Sequence, residues 1–255
     1  MTYIHVVLSG VVQGITEFLP VSSSGHLVFL HKFFGFTESS VFFDICLHVA
    51  TMLAVILYFR KDIIELVRKK NSKYFLYIVL GTVPAGIAGL LFEEKITSVF
   101  SNYKLAAVML ILTGCVLFLA QVFLNRKNYI TRDINGRFSV LIGVAQAFAL
   151  FPGLSRSGMT ISTALISGIK TEEAFRFSFL LSIPIISAAM LYKLLTIDIS
   201  SLALSSGLLK YAVGMVTAFV FGFLSLNFLW RIIKSKTLFI FGIYCIVLGG
   251  SIVLF

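Results

Sequence analysis

The chain has 255 residues, of which 58% are hydrophobic and only 13% charged. A water-soluble domain of this size has no use for that much apolar surface, and apolar stretches of about 20 residues recur, long enough to cross a ~30 Å hydrocarbon layer. The formal net charge of +10 does not point to nucleic acid, because the basic residues sit in short loops between apolar runs, where they set topology and meet anionic headgroups.

The composition predicts an all-α polytopic membrane protein, a single membrane domain over 1–255 with no soluble domain. Strands are not expected, since the apolar runs are continuous rather than alternating. In chain order, residues 3–36 form a first broken segment, in which two apolar arms flank a proline and a polar cluster. Apolar spans follow at 40–59, 75–92 and 104–124. A second broken segment covers 138–168, and spans at 176–195, 208–229 and 237–255 complete the chain. Neither arm of a broken segment is a convincing span alone. Both segments read as re-entrant helical hairpins, because broken backbone at membrane depth survives only inside protein or beside a water-filled cavity. The sum is six transmembrane helices plus two re-entrant hairpins. Only His5 lies near the start and no basic leader precedes the apolar arm, so no cleavable signal is expected. Cys46, Cys115 and Cys245 stand alone in apolar surroundings and read as buried structural thiols. Pro84 and Pro184 read as span kinks. His5 and His31 read as interfacial, and Glu172 and Glu173 as favouring a helix N-terminus.

Charge fixes the expected orientation. One loop holds Arg60, Lys61, Arg68, Lys69, Lys70 and Lys73, another Arg126, Lys127, Arg132 and Arg137, and a third Arg231, Lys234 and Lys236. Lys170 and Arg176 flank the second hairpin. The opposite side keeps Lys32, Lys95, Lys104, Lys193 and Lys210. The positive-inside rule makes the rich side cytoplasmic. The first hairpin then opens outside and the second inside, with three spans after each. Both termini fall outside the cytoplasm. An odd number of spans per unit makes the two units, about 1–124 and 134–255, an inverted-topology repeat, with both hairpin tips near mid-bilayer.

The hairpins share a motif. Gly10 to Leu27 recurs without a gap 133 positions later as Gly143 to Thr160, with seven identical pairs: Gly10/Gly143, Val11/Val144, Gln13/Gln146, Phe18/Phe151, Ser22/Ser155, Ser24/Ser157 and Gly25/Gly158. Polar clusters are costly at membrane depth, so two copies suggest one shared site. Gln13 and Glu17 are spaced i, i+4 and face one side of a helix. Glu17 can hold a divalent cation, with Gln13 as a neutral neighbour, or act as a general acid or base; the blander option is a protonated packing residue. After Pro20, a helix restarting near Ser22 would aim its free N–H groups and those of Ser23, Ser24 and Gly25 at an anion such as phosphate, against the alternative of simple serine capping. Ser155, Arg156, Ser157 and Thr160 match this element. Arg156 needs an anionic partner, and its planar fork suits phosphate oxygens; an internal pair with Glu17 is the plain alternative. His26 is open as nucleophile, general acid/base or positioning donor. Asp44 and His48, also i, i+4, are open between a supporting layer of the site and a helix–helix contact.

The stretches from Gln13 to His26 and from Phe151 to Thr160 strongly resemble the undecaprenyl-diphosphatase family, bacterial membrane phosphatases also known for bacitracin resistance. The resemblance covers essentially the whole chain, including Phe43-Asp44, Leu47-His48 and residues 175–180. It implies hydrolysis of undecaprenyl diphosphate to undecaprenyl phosphate and inorganic phosphate, recycling the lipid carrier for cell-wall synthesis at the bacterial plasma membrane. It also implies a divalent cation, Mg2+ or Ca2+. By matching positions, Glu17, Ser22, Ser23, Ser24, His26, Ser155, Arg156 and Thr160 inherit the site, with Glu17, His26, Ser23 and Arg156 as the catalytic set. Many members carry glutamate where this chain has Gln13, so Glu17 carries the charge alone. The expected partners are a prenyl diphosphate lipid, membrane lipids and, as an option, a second copy of the chain. A prenyl-phosphate flippase or anion transporter on the same scaffold is the rival. An acid-phosphatase type of lipid phosphatase is rejected, because no histidine follows Arg156.

Overall fold

The computed structural model describes residues 2–34, 41–68, 72–100, 102–126, 131–196 and 204–254, and among these there are twelve helices and no strand. Helices α1 (Tyr3–Phe18) and α2 (Ser23–Phe34) form the first hairpin. Then come α3 (Val41–Tyr58), α4 (Arg60–Arg68), α5 (Ser72–Leu91), α6 (Glu93–Phe100) and α7 (Tyr103–Leu124). The second hairpin is α8 (Gly136–Phe148) and α9 (Arg156–Ile166), followed by α10 (Thr171–Thr196), α11 (Leu204–Lys234) and α12 (Phe239–Leu254).

Four helical stretches are long and apolar enough to cross a membrane: Lys73–Leu91, Tyr103–Leu124, Thr171–Thr196 and Leu208–Lys234. A fifth is reached if Phe42–Tyr58 and Arg60–Arg68, bent by 68° to each other, count as one span. Helix α12 is apolar but only 16 residues long. The chain is thus an all-helical, multi-pass membrane protein. Residues 60–73 read as a basic loop in the sequence, yet 60–68 are helical, as are 93–100. A search for 20-residue apolar runs does not register such short, charged helices. Pro84 and Pro184 both lie inside continuous helices. The cysteine expectation holds for one residue of three: Cys245 is buried, Cys46 is half-buried and Cys115 is exposed on α7. A thiol is apolar enough to face lipid as readily as core.

The bundle buries a mostly apolar core with a smaller set of polar residues inside it, and leaves many apolar side chains exposed. On α1, the buried stripe is Val6, Ser9, Gly10, Gln13, Gly14, Thr16 and Glu17, whereas Ile4 and Leu8 are exposed. Close packing relies on small residues, as it does where lipid supplies no hydrophobic drive. A Cβ added at Gly10 would lie 2.7 Å from the Gly214 carbonyl oxygen, and one at Gly14 2.6 Å from that of Ala218, so α1 lies hard against α11. On the other flank, a Cβ at Gly143 would lie 2.3 Å from the Gly81 carbonyl oxygen, pressing α8 onto α5. Helix α7 packs against α12, α9 and α2, and α3 against α11 and α10.

Contacts sort the helix ends into two groups. Near the start of α10, Arg176 pairs with Asp62 at 3.2 Å, Lys170 with Asp133 at 2.8 Å, and Phe175 packs on Trp230. At the other end of α10, Tyr192 donates to Glu93 at 2.6 Å. Lys32 lies over the Tyr103 ring and Lys210 over that of Tyr3. The loops of α1–α2 and of α8–α9 meet, with Gly153 N–H bonded to Ser22 Oγ.

Candidate functional site

Helix α1 stops because Pro20 follows: the residue before a proline is pushed out of the helical region, and Leu19 is extended at φ −62°, ψ 144°. The chain then turns through Ser22, a non-glycine residue at φ 67°, a conformation that costs energy and persists where neighbours enforce it. Ser22 Oγ accepts from Gly25 N–H at 3.3 Å and from Gly153 N–H of the other hairpin at 3.2 Å. The second loop makes its matching turn at Gly153, φ 94°, where a Cβ would stand 2.0 Å from the Ala106 carbonyl oxygen. Thr113 of α7 clamps this loop: its hydroxyl donates to Gly153 O at 2.9 Å and accepts from Ser155 N–H at 3.0 Å. Ser155 caps α9 by accepting from Gly158 N–H at 3.1 Å. Ser157 Oγ donates back to Leu19 O at 3.2 Å. The two tips are stitched to each other by backbone and hydroxyl groups, with the N-termini of α2 and α9 on either side.

Between these N-termini sits a buried ion pair. Arg156 Nη2 donates to Glu17 Oε1 at 2.6 Å, and the side chains are only 14% and 6% exposed. Glu17 Oε2 accepts from Ser23 Oγ at 2.6 Å and from Gln13 Nε2 at 3.0 Å. His48 Nε2 approaches the same oxygen at 3.8 Å. Two groups are left over: Arg156 Nη1 and Gln13 Oε1 are buried with no hydrogen-bond partner among the described residues. A buried guanidinium nitrogen and a buried amide oxygen, each around the same carboxylate and without a partner, can bond an anion and a cation respectively.

The expected residues divide clearly. Glu17, Ser23 and Arg156 converge directly, and Gln13 joins through Glu17. Ser22, Gly25, Ser155 and Ser157 build the tips; Ser24 Oγ lies 3.2 Å from Ser22 Oγ, as Ser157 Oγ does from Ser155 Oγ. Gly25 permits contact, since a Cβ there would reach Gly153 Cα at 3.1 Å. Thr160 turns its hydroxyl to Arg156 O at 2.8 Å and to Ser178 Oγ at 2.5 Å, bracing the first turn of α9. His26 is held on both nitrogens, by Ser22 O and by Tyr244 OH, each at 2.7 Å. For His48, the approach of Nε2 to Glu17 Oε2 at 3.8 Å places the side chain beside the site. Tyr244, Thr113 and Ser178 went unnoticed in the sequence. The signal for a partner was His26 itself, because an imidazole at membrane depth needs one. The side chain of His31 lies outside those described. Among the described residues, no group of three or more His, Cys, Asp or Glu can hold a metal ion on its own.

The profile of the family described as "Bacitracin resistance protein BacA" matches residues 6–251. The chain is 38% identical to the undecaprenyl-diphosphatase of Moorella thermoacetica, over 99% of this chain and 97% of that one. It is 39% identical to the undecaprenyl-diphosphatase of Caldicellulosiruptor bescii, over 100% and 98%. With the undecaprenyl-diphosphatase of Syntrophotalea carbinolica it shares 39%, over 98% and 97%.

Proposed function

The chain belongs to the bacitracin resistance protein BacA family, and we propose that it hydrolyses undecaprenyl diphosphate to undecaprenyl phosphate and inorganic phosphate at the bacterial plasma membrane, recycling a lipid carrier for cell-wall synthesis. Relatives named undecaprenyl-diphosphatase match it end to end. The observation that carries the reading is the Glu17–Arg156 pair between two helix N-termini, with Arg156 Nη1 unpartnered. Helix N-termini and a guanidinium together favour phosphate.

The diphosphate binds with its prenyl chain in lipid and its phosphate oxygens on Arg156 and the first N–H groups of α2 and α9. Ser23 is the nucleophile. Its hydroxyl already donates to the Glu17 carboxylate at 2.6 Å, the geometry of a nucleophile with its base. Ser23 Oγ bonds to the terminal phosphorus, its proton passes to Glu17, and the bond from that phosphorus to the bridging oxygen breaks. Undecaprenyl phosphate leaves, and water then releases phosphate from the serine. His26 lies three residues along α2 from Ser23, on the same face. With both nitrogens engaged by Ser22 O and Tyr244 OH, it does not attack, and a proton reaches Nε2 by way of the Tyr244 hydroxyl. A divalent cation, Mg2+ or Ca2+, would be held by Glu17 and Gln13 Oε1, which is buried and unpartnered among the described residues. When bound, it offsets phosphate charge.

The same reading extends to topology. The two halves form an inverted repeat, with hairpins entering from opposite faces and both termini outside the cytoplasm. Register supports it: Gly81 and Gly214 are 133 positions apart, as are Gly10 and Gly143, and the contacts run Gly10 to Gly214 and Gly143 to Gly81. The cap bonds repeat as well, Gly25 to Ser22 and Gly158 to Ser155. The test is phosphate release from undecaprenyl diphosphate by the purified protein in detergent. Release with Mg2+ or Ca2+ that a chelator abolishes is expected. Movement of lipid across vesicles without release under any metal would replace the hydrolase with the transporter.

A further inference from the structure

Resting on the hydrolase reading, we infer that Tyr244 of α12 is the positioning residue for His26, holding Nε2 of the imidazole in one orientation. The bonds to the ring define its state. Nδ1 lies 2.7 Å from Ser22 O, a carbonyl that only accepts, so Nδ1 carries a hydrogen. In the neutral ring Nε2 is then a bare acceptor, and the Tyr244 hydroxyl, 2.7 Å away, donates to it. If the ring gains a second proton, Nε2 becomes a donor and the same hydroxyl oxygen accepts. A phenol is suited to this, since it can reverse its role by rotating one hydrogen without moving a heavy atom. A lysine or carboxylate at the position would satisfy only one of the two states.

The ring planes lie within 5° of parallel with centroids 5.7 Å apart, so the phenol meets the imidazole edge to edge through its hydroxyl. Phe29 tilts against the imidazole from within α2, its centroid 6.2 Å away. The ring is therefore held at both nitrogens: Ser22 O makes Nδ1 the protonated one, and Tyr244 fixes where Nε2 points. Orienting partners do the same work for acid/base histidines elsewhere. The partner comes from the far end of the chain, 218 positions away, so the last helix becomes part of the chemistry of the first hairpin.

The experiment is Tyr244→Phe, which keeps the ring and removes one oxygen, with Tyr244→Leu removing both. Two readouts are taken on purified protein in nanodiscs: steady-state phosphate release, and 15N spectra of the protein with labelled histidine, in which His26→Gln assigns the signal. For Tyr244→Phe, kcat is expected to fall about tenfold with KM within twofold, and the His26 Nε2 signal to move as it loses its hydrogen bond while Nδ1 stays protonated on Ser22 O. Tyr244→Leu is expected to lose more kcat and give the same spectral change. Wild-type 15N signals in Tyr244→Phe overturn the inference, whatever the rate. A spectral change with wild-type kcat also overturns it, by removing any role for that hydrogen bond in turnover. The spectra need no substrate, so a failure of the hydrolase reading would appear in the release assay of the unaltered protein alone.

Discussion

At the scale of single residues, the site rests on one carboxylate serving three groups. Removing Arg156 leaves Glu17 charged, buried and uncompensated, and breaking such a pair costs about 3–5 kcal/mol. Arg156→Ala is therefore expected to lower thermal stability in detergent and to reduce phosphate release by at least about 100-fold. Arg156→Ala with Glu17→Gln is expected to recover much of the stability and none of the activity. Ser23→Ala separates chemistry from fold. It removes one hydrogen bond, worth about 1 kcal/mol, yet release should fall at least about 100-fold, because the attacking oxygen is gone; Ser24→Ala, whose hydroxyl meets only Ser22 Oγ among the bonds described, is the control. Much of this was legible from composition alone. An acid and an arginine inside apolar sequence demand partners, and each is the other's. Tyr244 was not legible, because a lone tyrosine in an apolar span looks like any lipid-facing aromatic, and it is 44% exposed. What identifies it is a contact across the whole chain, and spacing carries no trace of that.

At the scale of elements, the hairpins keep their tips in place through backbone contacts that tolerate no side chain. Gly143→Ala would drive a methyl into the Gly81 carbonyl, 2.3 Å away, and separating α8 from α5 should cost about 1–3 kcal/mol. Gly86, on α5 as well, has no atom within 4 Å of its would-be Cβ. Gly86→Ala should be neutral or stabilising by up to about 1 kcal/mol, since alanine favours the helix. Thermal unfolding of the two variants in one detergent checks the contrast. The hairpins were visible in the sequence because a proline and a serine cluster interrupt apolar runs. Helices α4 and α6 were not, because eight or nine residues with charges on one side read as loop when the search is for spans. The apolar run at 237–255 is one helix, α12, with 16 residues among those described.

At the scale of the whole molecule, orientation is the open quantity that a single measurement decides. With Cys46, Cys115 and Cys245 replaced, a cysteine introduced at Thr2 should react with a membrane-impermeant thiol reagent on intact cells, and one at Lys234 only after lysis. Labelling at Lys234 alone on intact cells would turn the protein over and refute the repeat-derived topology. Arg176 and Asp62, like Lys170 and Asp133, pair near the start of α10, among the residues that the charge count assigns to one side. The way the halves clasp has one more consequence. Glu17 holds only one nitrogen of the Arg156 guanidinium, and the buried Nη1 is left without a partner among the described residues. On the proposed reading, a headgroup oxygen that bonds Nη1 need not break the ion pair. Binding then satisfies a buried donor that the protein leaves unpaired, while the carboxylate stays beside Ser23.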